Sequence, residues 1–183
     1  MTPVEIVAQT VSIAAMAFNI LSYQQKTKWG VLVLQFFGSL LFATSFFLLG
    51  SYVGACLNAI GAFRAIVYAN RRIFRSEHIL WLFAFSLLFV GSYVLNFTVL
   101  GMEPTPYHLI IEVLPVIAMI ATTVSFRLTG ARAIRRLGLL SSPCWLIYNI
   151  AALSIGAILC EALSLVSIVI GMLRFDRKTA KKD

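Results

Sequence analysis

Charged side chains are scarce in this sequence. Among its 183 residues there are 15 basic and 7 acidic side chains, so that 12% are charged while 60% are hydrophobic. Soluble globular proteins carry about twice that charged fraction. Because so few charges cannot cover the surface of a water-soluble domain of this size, we expect lipid to surround most of the chain. This expectation excludes most soluble enzymes.

Cysteine and catalytic motifs are also lacking. The three cysteines, Cys56, Cys144 and Cys160, fall within uncharged runs, and their odd number argues against a disulfide framework. The sequence has no H-E-x-x-H, no G-x-S-x-G and no phosphate-binding glycine loop, which removes the usual starting points for metal-dependent or nucleophilic hydrolysis. We therefore expect no enzymatic activity, no cofactor and no metal site.

The net charge of +8 does not predict a nucleic-acid partner. A surface that binds nucleic acid needs a contiguous basic face, whereas these basic residues form short clusters between long uncharged runs. Such clusters are typical of the loops that fix the orientation of a membrane protein.

The uncharged runs predict an all-α integral membrane protein with seven transmembrane helices. A helix needs roughly 20 apolar residues to cross about 30 Å of hydrocarbon. The small and polar residues around Gly50, and those at 152–156, divide two of the runs with turns. The predicted spans are 4–24, 30–49, 53–71, 78–99, 107–127, 133–152 and 156–174.

The positions of lysine and arginine test this count. With seven crossings, 14 basic residues fall on one side and none on the other, and Arg64 alone lies inside a span. Because basic residues are retained in the cytoplasm, the sequence predicts an external N-terminus and a cytoplasmic C-terminus. The basic loops also offer a place for anionic lipid headgroups at the cytoplasmic face.

An internal repeat is visible at an offset of 102 residues, which aligns the stretch beginning at Gly54 with the stretch beginning at Gly156. Near an offset of 103, Ser22 falls on Ser125. The interpretation is a 3+1+3 arrangement of parallel triple-helix repeats, as in SWEET transporters. Its parts are a first repeat at 1–75, a linker helix at 76–103, a second repeat at 104–174 and a basic cytoplasmic tail at 175–183.

Four stretches, 15–28, 35–42, 54–61 and 145–149, resemble the bacterial inner-membrane YgjV-type family, and the resemblance runs nearly end to end. That family is similar in outline to the SWEET and PQ-loop group of sugar and amino-acid carriers. The resemblance implies an inner-membrane location and a transport role. In the SWEET group, asparagines on the third helices meet the substrate. Asn58 matches one of them, and Cys160 or Glu161 stands at the other.

Acidic and basic residues inside the spans have a functional and a structural interpretation. Glu161 and Glu112 are costly to place in lipid, so they are candidates for proton coupling or cation binding, or else for pairing with Arg64 or reaching the outer headgroups. Arg64 lies within reach of the cytoplasmic face, which favours a side chain that extends to the headgroups. Asn58 and Arg64 are about 120° apart around one helix, so we expect them not to share one small site.

Amides and aromatic rings complete the candidate pathway. Trp145, Tyr148 and Asn149 share a helix face, where the rings would stack on a flat solute and Asn149 would bond to it, although a membrane-interface belt explains the rings about as well. Asn19 is a further pathway candidate, or else its side chain forms a hydrogen bond to a neighbouring helix.

Together these patterns predict an inner-membrane carrier for a small polar solute, which opens alternately to either face as the two repeats rock. The alternative is a non-transporting scaffold that binds lipid or partner proteins, and it predicts a dry bundle without a central cavity.

Overall fold

The chain folds into helices joined by short turns. The computed structural model describes residues 2–128, 130–151 and 155–176, and within them every regular element is helical. The helices are α1 Pro3–Tyr23, α2 Lys28–Leu48, α3 Tyr52–Ala69, α4 Arg71–Phe74, α5 Ile79–Thr98, α6 Pro106–Arg127, α7 Ala131–Ala151 and α8 Ile155–Gly171, and a π-helical turn, Met172–Asp176, follows α8. The predicted turn at 152–156 falls largely on residues 152–154, which lie outside the described residues, as does most of the predicted tail at 175–183.

Six of the described helices are long and apolar enough to cross a membrane: α1, α2, α3, α5, α6, and α8 together with the π-helical turn. They coincide with six of the seven predicted spans to within three residues at each end. Helix α7 occupies the remaining predicted span but is less apolar, because Arg132, Arg135 and Arg136 fill its first turns. A membrane crossing by α7 stays a prediction.

Threonine side chains begin three of the long helices. The hydroxyls of Thr2, Thr27 and Thr105 each accept a hydrogen bond from a backbone N–H in the first turn of the following helix, at 3.2 Å. Such caps satisfy donors that would otherwise be left unpaired at a helix start. Pro3 and Pro106 follow two of these caps, at positions where a helix needs no N–H from the residue.

Six helices form a closed ring in the order α1, α2, α3, α6, α7, α8, with α8 packed back against α1. Helix α5 packs against α3 and α6. Between these three helices lies an aromatic core that contains Tyr68, Phe85, Phe89 and Phe126. The outer surface is apolar, as at Leu87 of α5, which is 73% exposed.

The ring consists of two similar halves. Helices α6, α7 and α8 begin 103 residues after α1, α2 and α3, respectively. The helix contacts of the two halves are also equivalent. Helix α2 packs between α1 and α3, as α7 packs between α6 and α8, and the contact of α1 with α8 corresponds to the contact of α6 with α3. The offset of 102 that the sequence suggested holds only at the ends of α3 and α8, at Ala69 and Gly171, because α8 is one residue shorter.

Three connections rich in basic residues meet at one end of the ring. The Lys28 ammonium, after the α1–α2 turn, donates a hydrogen bond to the carbonyl of Phe126 at the end of α6. Beside it, Arg127 Nε donates to the carbonyl of Glu77, between α4 and α5, at 3.2 Å. The basic clusters that the sequence assigned to one side of the membrane therefore lie close together in these described residues.

Candidate functional site

A cavity of about 90 Å³ lies inside the ring, and all six ring helices contribute to its wall. That volume is enough for several water molecules or a small solute. Its apolar walls include Phe42, Phe46 and Trp145. Most of the remaining wall is polar, namely Asn19, Gln35, Ser39, Asn58, Arg64, Thr122, Ser141, Ser142, Asn149 and Glu161.

The two halves of the ring line the cavity from equivalent positions. Five pairs of lining residues are separated by the same 103 residues that separate the helix starts. The pairs are Asn19 and Thr122, Ser39 and Ser142, Phe42 and Trp145, Phe46 and Asn149, and Asn58 and Glu161. Helices whose starts are 103 residues apart thus line the cavity together, and its chemistry differs between the halves wherever the two members of a pair differ.

Arg64 is buried in the cavity wall, with 5% of its surface exposed. Its Nη1 donates hydrogen bonds to the Met119 carbonyl at 2.7 Å and to the hydroxyls of Thr122 and Thr123 at 2.7 and 2.9 Å. The guanidinium also lies 4.6 Å from the ring centre of Phe126, a favourable cation–π distance. The expectation that Arg64 extends to the cytoplasmic headgroups is wrong, because acceptors on α6 hold its charge inside the bundle.

Asn58 also lines this cavity, so the expectation that it shares no small site with Arg64 is wrong. The cavity wall follows α3 for more than one turn, which brings two side chains into it despite their angular separation. Asn58 Nδ2 donates to the Gly54 carbonyl at 2.9 Å, and this bond fixes the amide against its own helix.

Glu161 stands in a small polar cluster on the opposite side of the ring. Its carboxyl interacts with the Ser142 hydroxyl of α7, and the same hydroxyl interacts with Tyr23 of α1. Cys160, the neighbour of Glu161, is buried against Asn19 and is a free thiol. In the described residues neither Glu161 nor Glu112 forms a salt bridge with Arg64, so the predicted alternative of a structural charge pair is wrong.

The predicted aromatic face of α7 is divided. Trp145 and Asn149 line the cavity, whereas Tyr148 is buried beside Trp145, with the two ring centres 5.8 Å apart. Asn149 is 3% exposed, and its Oδ1 receives no hydrogen bond from the described residues. A buried carbonyl without a donor is costly, so this atom is suited to a bound solute or water.

Glu112 is not brought together with the other candidates. It is buried on α6, outside the set of residues that line the cavity, and its Oε2 has no hydrogen-bond partner among the described residues. A role for Glu112 in the pathway therefore stays a prediction without a place in the cavity.

Several lining residues were not singled out from the sequence: Tyr23, Ser39, Thr122, Ser141 and Ser142. Ser39 and Ser142 are 103 residues apart, and Thr122 follows Asn19 by the same distance. This spacing between polar residues is the only signal that identifies Ser39, Thr122 and Ser142, and it becomes apparent once the helix starts are known. Serine and threonine are common in membrane helices for packing, so their presence alone does not indicate a site.

A buried ion pair lies beside the turn that follows α1. Arg135 Nη2 lies 2.5 Å from Asp176 Oδ1, and both side chains are largely buried. Arg135 Nη1 also donates to the Gln25 carbonyl at 3.3 Å, and Gln24 Nε2 donates to the hydroxyl and carbonyl of Ser167 at 2.8 Å. These contacts join α1 and the turn after it to α7, α8 and the π-helical turn, which belong to the other half of the ring.

A family model of bacterial inner membrane proteins, Imp-YgjV, matches residues 6–179 of the chain. The chain belongs to the YgjV family. Its relative in Escherichia coli (strain K12), inner membrane protein YgjV, is 28% identical over 132 residues, which cover 72% of this chain and 64% of the relative. The chain therefore aligns with slightly less than two thirds of that relative's length.

No solved structure matches the chain. Membership of the YgjV family and the six apolar helices together establish a multi-pass protein of the bacterial inner membrane. The predicted location is confirmed.

Proposed function

We propose that this YgjV-family protein is a carrier that moves a small polar solute across the inner membrane by alternating access. The observation that carries the proposal is the cavity at the centre of the ring, lined with polar side chains at the depth of membrane-spanning helices. Buried polar groups in a membrane protein are costly, and they commonly mark pathways for ions or solutes.

In this proposal all seven long helices cross the membrane in a 3+1+3 arrangement. Helices α1–α3 and α6–α8 are parallel repeats, α5 is the linker, and α7 crosses despite the arginines in its first turns. The common spacing of 103 residues and the equivalent helix contacts within the two halves support this arrangement. It is similar to the SWEET and PQ-loop architecture, in which two repeats rock around a site between them.

The proposed orientation has the N-terminus outside and the C-terminus in the cytoplasm. The end of the ring where Lys28, Arg127 and Glu77 meet is the cytoplasmic end, in line with retention of basic residues there. Arg71, Arg72 and Arg75 at this end also offer contacts for anionic lipid headgroups.

In the proposed path, Asn58, Asn149 and Glu161 face the solute, with Trp145 as an apolar wall and Asn19 at its edge. Opening toward the cytoplasm would separate the halves at the contacts that Arg135 and Gln24 make across them. The alternative function, a non-transporting scaffold, predicts a bundle without a central cavity, so the polar cavity favours the carrier.

Solute exchange in proteoliposomes tests the proposal. Purified protein is reconstituted, and uptake of a panel of labelled small polar solutes is compared with that of empty liposomes, of Asn58→Ala and of Glu161→Gln. The proposal predicts saturable, protein-dependent uptake of at least one solute, lowered at least tenfold in one or both variants. Uptake that equals that of empty liposomes for every solute, or that is equal in all variants, would contradict it.

A further inference from the structure

The charge of Arg64 is held in the cavity wall by neutral partners. Its three hydrogen bonds, all donated by Nη1, go to one carbonyl and two hydroxyls, and its Nε has no acceptor within the described residues. The two salt bridges of the described residues, Arg71 with Glu77 and Arg135 with Asp176, do not involve it. Within the part of the chain that the structure describes, a fixed positive charge therefore lines the cavity without an ion-pair partner.

Acceptors are presented elsewhere on the cavity wall. Asn149 Oδ1 is buried and receives no hydrogen bond from the described residues, and the Glu161 carboxyl lies in the same wall without reaching Arg64. A solute that satisfies both parts of the wall needs an acceptor of negative charge for the guanidinium and a hydrogen-bond donor for the oxygens of Asn149 and Glu161. Arginine binds carboxylates especially well, because its planar fork of N–H groups matches their two oxygens.

We propose that the cavity binds a small organic carboxylate that also carries a hydroxyl or ammonium donor, with the carboxylate against Arg64 and the donor against Asn149 and Glu161. This inference rests on the proposed carrier function and names its substrate class. The cavity volume of about 90 Å³ accommodates a small solute of this kind. The low-dielectric surroundings of Phe126 and Phe89 strengthen the attraction between the guanidinium and the anion.

Four probes of similar size test the charge and the donor separately: lactate, alanine, propionate and lactamide. Thermal unfolding of the purified full-length protein in detergent is followed with each probe in turn, with sodium chloride keeping the ionic strength constant. We expect lactate or alanine to raise Tm in a saturable manner, propionate to bind more weakly because it has no donor, and lactamide to bind at least tenfold more weakly than lactate because it has no charge.

Variants test whether Arg64 supplies the positive charge that binds the carboxylate. Arg64→Gln is expected to weaken binding of the carboxylate at least tenfold and to remove the preference for lactate over lactamide. The matched control is Arg136→Gln, which removes an exposed arginine in the first turns of α7 and is expected to bind as the wild type does. If Arg64→Gln does not fold, the comparison of lactate with lactamide on the wild-type protein still decides the question.

The inference is overturned if lactamide binds as tightly as lactate, if none of the three carboxylates raises Tm, or if folded Arg64→Gln keeps the preference for the anion. Those outcomes leave the carrier proposal standing, because that proposal is judged by protein-dependent flux of any solute. Absence of flux together with tight lactate binding would instead contradict the carrier and leave the binding site.

Discussion

Asn58 on α3 and Glu161 on α8 occupy equivalent positions, 103 residues apart, and both line the central cavity. One half of the ring thus presents an amide where the other presents a carboxyl. Two halves with the same helix spacing and different lining residues give a cavity with two chemically different sides. Arg64 adds to this difference, because the equivalent residue in the second half is Ser167.

The equivalence predicts the outcome of exchanging the two residues. Glu161→Asn should lower uptake of the solute found in proteoliposomes at least tenfold, because the cavity loses its carboxyl. The double variant Asn58→Glu with Glu161→Asn returns a carboxyl to the cavity from the equivalent position and should recover part of that loss. A double variant as inactive as Glu161→Asn, with an unchanged Tm, would show that the two positions are not interchangeable.

Thr123 should contribute to stability through Arg64. Its hydroxyl accepts from Arg64 Nη1 at 2.9 Å and donates to the Met119 carbonyl at 2.7 Å. Thr123→Val keeps the shape and removes both bonds, so we expect a loss of about 1 kcal/mol, or roughly 2–4 °C in Tm. Thr98→Val is the control, because the Thr98 hydroxyl is exposed and donates to the Val94 carbonyl of its own helix. Equal losses of stability in the two variants would show that Thr123 does not stabilise the protein through Arg64.

The Arg135–Asp176 pair should stabilise the fold far more than the exposed Arg71–Glu77 pair at the same end of the ring. Asp176→Asn leaves the buried Arg135 without its counter-charge, and we expect a loss of about 3 kcal/mol, or roughly 6–12 °C in Tm. Glu77→Gln breaks the Arg71–Glu77 pair, whose side chains are 28% and 73% exposed, and should cost less than about 1 kcal/mol. Thermal unfolding of the two variants side by side measures the difference, and an Asp176→Asn variant as stable as Glu77→Gln would contradict it.

The contact between α1 and α8 should depend on Gly171. A Cβ at this position would lie 2.7 Å from the Tyr23 carbonyl oxygen and 3.0 Å from Arg135 Cδ. Gly171→Ala is therefore expected to separate these helices and to lower the free energy of unfolding by about 1–3 kcal/mol. Gly91→Ala is the matched control on α5, where a Cβ meets nothing within 4 Å, and it should be neutral or stabilising by up to about 1 kcal/mol. Equal stability of the two variants, measured by unfolding in detergent, would show that the approach is not tight.

The spans were predictable because membrane helices are marked by what they exclude. Lys28 and the turn at Gly50 bound α2, and Glu77 and Glu103 bound α5, so the predicted spans 30–49 and 78–99 end within two residues of the observed helix ends. The four-residue helix α4 had no such mark, because it lies among the charged residues of a connection. The apolarity of α7 was also overrated, since its first turns hold three arginines.

The site was predictable only where a residue type is unusual for lipid. Asn58, Asn149 and Glu161 were found in this way, and the structure brings them together in one cavity. The position of Arg64 was not predictable, because the acceptors that hold it, Met119 and Thr122 among them, lie more than 50 residues away on another helix. A single sequence shows the cost of a buried charge but not the partners that offset it.

Cysteine accessibility from the two sides of the membrane tests alternating access most directly. The native cysteines are replaced by alanine, and single cysteines are placed at Ser142 in the cavity wall and, as a lipid-facing control, at Leu87. A charged, membrane-impermeant thiol reagent is then added to intact cells and to inverted vesicles. We predict that Ser142→Cys reacts from both faces and Leu87→Cys from neither. Protection of Ser142→Cys on both faces, in a folded variant, would contradict a path through the ring.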